Sequence, residues 1–129
     1  MIRIFKNGWF ERFARKEKLS DTALREAIVR AQSGLIDADL GGGVIKQRVA
    51  RPGKGKSGGY RTLILFRRDD RAIFAFGFTK ARQANISKAD LALLREAAAE
   101  ALEWSDEELD RLVASGTLVE IEDGNDDEG

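Results

Sequence analysis

Tyr60-Arg61-Thr62-Leu63-Ile64-Leu65-Phe66 and, across the polar Arg68-Asp69-Asp70-Arg71, Ala72-Ile73-Phe74-Ala75-Phe76-Gly77-Phe78-Thr79 form the stretch that decides the fold class of this 129-residue chain. Both runs are rich in β-branched and aromatic residues, and the charged tetrapeptide between them fits a hairpin connection. Their near-continuous apolar character implies burial on both faces. They therefore read as central strands with a helix layer over at least one side. Val44-Ile45-Lys46-Gln47-Arg48-Val49 alternates imperfectly and adds a strand upstream.

Outward from this meander the chain turns helical in both directions. Ile2, Ile4 and Phe5 make a short first strand, and Asn7-Gly8 follows as a break or helix start. Trp9, Phe10 and Phe13 recur at helical spacing as far as about Lys16. Ser20 is a good N-cap for a second helix whose Leu24, Ala27, Ile28 and Ala31 share one face. Ser33-Gly34 ends it, and Gly41-Gly42-Gly43 makes an open loop. Downstream, Ser87 caps a third helix striped by Leu91, Leu94, Ala98, Ala101 and Leu102. Ser105 and Glu108 form a capping box for a fourth helix bearing Leu109, Leu112 and Val113. Residues 117–121 add a final edge strand. The expected class is α+β: an N-terminal strand, two helices, an antiparallel three-stranded meander and C-terminal helices. One domain is expected over residues 1–122, with an acidic tail over 123–129.

Composition narrows the chemistry. The chain has no cysteine and no histidine, which removes thiolate metal sites, most catalytic zinc sites and every His-dependent nucleophile. Acid–base work falls to Lys, Arg, Tyr, Asp or Glu, and neither a metal nor a cofactor is expected. No apolar stretch approaches a membrane span and the N-terminus does not read as a signal peptide, so a cytoplasmic location is expected. The zero net charge conceals segregation. Residues 46–82 carry eleven basic side chains against Asp69 and Asp70, and residues 83–129 carry fourteen acidic against three basic. A basic block of that density fits a phosphate-rich partner. The acids, five of them between Glu103 and Asp110, either damp that positive field or solubilise the last helices.

The densest signal is Arg48-Val49-Ala50-Arg51-Pro52-Gly53-Lys54-Gly55-Lys56-Ser57-Gly58-Gly59-Tyr60-Arg61. Gly53, Gly55 and Gly58 match a dinucleotide fingerprint, but a strand follows where that motif needs a helix. A Walker A loop lacks its first glycine, since Ala50 stands there, and a kinase loop lacks the rest of a kinase. What survives is a flexible loop between strands that presents Lys54 and Lys56, flanked by Arg48, Arg51 and Arg61. Lys80 and Arg82 follow the last central strand, where they can converge on the loop.

The run Lys46-Gln47-Arg48-Val49-Ala50, the Gly53-to-Arg61 segment, the apolar strand pair and Phe78-Thr79-Lys80 resemble the RelE/HigB-like toxins of bacterial type II toxin–antitoxin systems. The resemblance implies the same order of elements, a cognate antitoxin, and a metal-independent, ribosome-dependent mRNA endonuclease that inhibits translation. It places Lys54 and Lys56 on the family's basic loop, Arg61 on its strand arginine and Lys80 on the basic position after the last strand. Arg82 is shifted from the usual arginine spacing, and Ser87 stands where some members carry a tyrosine. These five cations are the expected catalytic set, with Lys46, Arg48, Arg51 and Tyr60 as RNA-binding residues. Tyr60 has two readings, a base-stacking ring or a core ring, and its alternation with Arg61 favours the core. The alternative functions are a non-catalytic inhibitor of DNA gyrase, as in the ParE branch, and a simple nucleic-acid-binding module.

Overall fold

The computed structural model describes residues 2–51, 55–79 and 86–122, with the backbone alone at residues 51 and 55–58. The elements run β1 (Arg3–Asn7), α1 (Gly8–Glu17), α2 (Asp21–Gln32), β2 (Ala38–Asp39), β3 (Val44–Arg51), β4 (Gly55–Arg67), β5 (Arg71–Thr79), α3 (Lys88–Ala101), α4 (Asp106–Ala114) and β6 (Leu118–Ile121). They form an α+β fold with one mixed sheet in the order β2-β3-β4-β5-β1-β6. The β3-β4-β5 meander is antiparallel, β1 runs parallel to β5, and β6 closes the far edge antiparallel to β1. The two-residue β2 is an addition that the sequence does not announce.

Local signals set the helix starts. The side chains of Asn7, Ser20, Ser87 and Ser105 each accept from a backbone N–H in the first turn of the helix they precede. Each such cap satisfies an otherwise orphaned donor. The Ser105–Glu108 box is complete in both directions.

The strands divide the core by alternation. Ile4, Ile45, Val49, Tyr60, Ile64 and Phe74 face α1 and α2, meeting Phe10, Leu24 and Ile28. Phe5, Val44, Leu65 and Ile73 face α3 and α4, meeting Ala98, Ala101, Leu102 and Leu109. Leu91 and Leu94 complete that stripe only half-buried. A bulge interrupts the alternation: Leu63 pairs with Phe76 and Ile64 with Phe74, leaving Ala75 without a partner. Gly43 marks the tightest approach. Its φ is +88°, and a Cβ there would stand 2.6 Å from Leu102 Cδ1. Gly43→Ala combines a left-handed backbone with that overlap, so urea unfolding should show a loss of about 1–3 kcal/mol.

Three ionic clusters brace the described fold. Lys6 is 7% exposed and its Nζ sits 2.8 Å from Glu11 and 3.1 Å from Asp21. Burial pushes this amine down, but its two carboxylate partners outweigh that and raise its pKa. Burial likewise pushes Glu11 up, while Lys6 and Arg15 hold it below its ordinary value. The Glu11 contribution to stability is therefore whole above the usual carboxylate range and lost as pH falls through the depressed value. The Lys6 contribution is whole below the usual lysine range and lost only at more alkaline pH. Lys6→Met should flatten the fall in urea midpoint between neutral and acid pH; an unchanged fall would remove this cluster from the account.

At the other end of the sheet Arg3 hydrogen-bonds Asp106, Asp110 and Glu120, tying β1 to α4 and β6. Arg67 meets Asp70 and Glu103. Arg71 is 4% exposed and donates to the Ala101 carbonyl at 3.1 Å. Burial pushes the Asp70 carboxyl up, and its bonds and attraction to Arg67 and Arg71 outweigh this and lower it. Three of the charges that look free in the sequence, Arg67, Arg71 and Glu103, are thus structural.

Candidate nucleic-acid interface

Register brings the described cations together. Arg48 pairs with Arg61 across β3 and β4, Lys46 pairs with Leu63, and Arg61 pairs with Phe78 on β5. Side chains two residues apart on a strand share a face. Lys46, Arg48 and Arg61 therefore stand on the α3 side of the sheet, beyond the end that α3 and α4 cover. Leu63, Phe76 and Phe78 supply the apolar floor between and beside them.

The three cations are held differently. Arg48 is anchored: its N–H donates to Asp37 Oδ2 at 2.7 Å, and its guanidinium lies 3.6 Å from Asp37 Oδ1. Asp37 is fixed in turn by Gln47, which is fully buried on the opposite face. Gln47 Oε1 accepts from the Asp37 N–H at 2.9 Å, and its Nε2 donates to the Ala27 and Leu35 carbonyls. Lys46 and Arg61 make no ion pair among the described residues. Arg61 is half-buried, and its Nη1 is buried with no hydrogen-bond partner among the described residues. A donor of a permanently charged fork left unsatisfied inside a protein is costly, and such groups concentrate where an anionic ligand completes them.

Tyr60 corrects one expectation. Its ring is 1% exposed on the α1 side, edge-on to Phe13 at 5.7 Å, and its hydroxyl donates to Glu17 at 2.9 Å. The ring has no free face for a base, so Tyr60 is not an RNA-stacking residue here. Arg51 ends β3 opposite Gly55, and Lys56 lies in the backbone of β4. The side chains of these two fall outside the described residues, as do Lys54, Lys80, Arg82 and the tail over 123–129. β5 ends at Thr79, opposite Tyr60.

Four of the C-terminal acids lie away from this surface. Glu103, Asp106, Asp110 and Glu120 engage Arg67 and Arg3 at the far end of the sheet. Arg67 is six residues from Arg61, about 20 Å along an extended strand, against a Debye length of about 8 Å in physiological salt. Those acids cannot screen Arg61. No group of metal-ligating side chains occurs among the described residues, and no described helix is long and apolar enough to cross a membrane.

The described residues thus form a small α+β domain with Lys46, Arg48 and Arg61 gathered on one face of its sheet. A family model described as the RelE toxin of the RelE / RelB toxin–antitoxin system matches residues 2–121, nearly the whole chain. The chain belongs to this family: it is a toxin of a toxin–antitoxin system, and its partner is an antitoxin. A search of curated proteins finds no match.

Proposed function

We propose that this toxin is a metal-independent endoribonuclease that cuts messenger RNA in the ribosome and so stops translation. The observation that carries the reading is Arg61: a half-buried guanidinium on the α3 side of β4, with one buried donor that has no hydrogen-bond partner and with no ion pair among the described residues. A planar fork of this kind fits two phosphate oxygens. Lys46 and Arg48 extend the positive surface along the path of a strand.

The reaction needs no group that the chain lacks. The 2′-hydroxyl of one nucleotide attacks the adjoining phosphorus, forming a 2′-O–P bond and breaking the bond to the 5′ oxygen. Its proton passes to a base, and a second proton goes to the departing 5′ oxygen. Arg61 stabilises the charge that gathers on the phosphate. Lys54 or Lys56 is the assigned base, because crowding by other cations lowers an amine's pKa. Lys80 or Arg82 serves the leaving side. The ribosome supplies the positioned strand, which is where much of the rate of a two-body reaction comes from.

Induction of the protein in bacteria followed by mapping of mRNA 5′ ends tests this. New ends confined to translated frames support it. DNA damage with intact messages overturns it and points to the gyrase-directed branch of the fold.

A further inference from the structure

We infer that the cavity beside Phe76 is a nucleobase subsite that favours a base bearing an exocyclic amino group over uracil. The inference rests on the endoribonuclease reading and adds a specificity element to it. The cavity has a volume of about 270 Å³ and is lined by Ala75, Phe76, Ile86, Asp90, Leu93 and Leu94. That is just under the roughly 300–1,000 Å³ of ordinary small-molecule pockets and ample for one base.

Its position follows from the β-bulge. Because Ala75 has no partner opposite, Ala75 and Phe76 both line the same hollow, a small residue beside a ring. Phe76 lies 6.1 Å from Phe78 ring to ring, and Phe78 is the cross-strand partner of Arg61. One strand spacing and one two-residue step, about 5 and 7 Å, separate the subsite from the phosphate-binding arginine. A single nucleotide spans that distance between its phosphate and its base. The other face of the hollow belongs to α3, where Leu93 is 62% exposed.

The walls are apolar with one exception. Asp90 sits exposed at the rim, in the first turn of α3; its N–H donates to the Ser87 hydroxyl, and its carboxylate has no partner among the described residues. An ionised carboxylate only accepts hydrogen bonds. Phe76 is stacked on Trp9 at 4.4 Å and so is held as a fixed wall; beside it the carboxylate rewards an inserted base that presents an amino group and repels one that presents a carbonyl oxygen there. Cytosine and uracil have the same ring size and differ at that position, which makes them the sharpest comparison.

The test is a titration of the full chain with CMP and with UMP, followed through the methyl resonances of Leu93 and Leu94. CMP should bind about tenfold more tightly than UMP, a ratio within the range of one base-edge contact. Asp90→Asn should bring the two affinities together, and Leu93→Ala should weaken both. Equal affinities in the native chain, or a CMP preference that survives Asp90→Asn, would overturn the subsite. The titration needs no cleavage, so its failure removes the subsite alone, whereas an absence of cuts in mapped messages removes the endoribonuclease reading.

Discussion

Arg61→Ala should abolish growth arrest while leaving the protein folded. Loss of one preorganised charge donor at a reacting phosphate typically lowers a rate by ~10²–10³-fold, which is enough to turn an arresting dose into a tolerated one. Its effect on stability should have the opposite sign from most half-buried truncations. The native side chain leaves Nη1 buried and unsatisfied, so its removal relieves a cost, and the melting temperature should hold or rise. Arg61→Lys separates charge from geometry: it keeps the positive charge but loses the fork, and about a tenth of the activity should remain. Growth arrest undiminished in Arg61→Ala at equal expression would take this face out of the mechanism.

Tyr60→Ala should do the reverse, unfolding the protein without touching the chemistry. The ring is among the largest fully buried side chains, packed against Phe13 with its hydroxyl on Glu17. Truncation of such a ring costs about 3–5 kcal/mol, a large share of a small domain's stability. Tyr60→Phe and Tyr60→Leu restore part of the volume and should cleave normally per folded molecule despite lower urea midpoints. A well-folded Tyr60→Leu that cleaves tenfold less would return the ring to the RNA surface. Together the two adjacent residues form a test of strand alternation, with function on one side of β4 and stability on the other.

That division was legible in the sequence because strand alternation is local. So were the caps at Ser20, Ser87 and Ser105, the turn at Arg68–Arg71 and the edge strand over 117–121. Each needs only a few neighbouring residues to define it. What stayed hidden depends on contacts distant in the chain. Charge counting assigned Arg67 and Arg71 to a phosphate-binding block, yet both are spent on Asp70, Glu103 and the Ala101 carbonyl. The acids of α4 looked able to damp the basic loop, and Arg3, more than a hundred residues upstream, gathers them at the other end of the sheet. Nothing in the residues around Lys6 announces its burial, which comes from the packing of α1 and α2 over β1. The hollow at Phe76 arises from a register shift between two apolar strands, and an uninterrupted run of apolar residues gives no sign of where a bulge falls.

Of the cationic cluster, the sequence placed Arg48, Arg51 and Arg61 around a glycine-rich loop, and Lys46 entered through the resemblance alone. The structure adds the hierarchy among them. Arg48 is neutralised by Asp37 through a brace that runs from Gln47, while Arg61 is left with an unmet donor. One arginine is tied to the loop before β2, and the other is the one that the proposed reaction uses.

The central claim is most directly tested with purified ribosomes carrying a defined message and the purified toxin without its antitoxin. The native chain should cut the message at the occupied codon, without added metal, and should leave the same RNA intact when ribosomes are withheld. Arg61→Ala, folded to the same extent, should leave both intact. A folded native chain that cuts nothing on the ribosome, or an Arg61→Ala protein that cuts as well as the native one, would contradict the account.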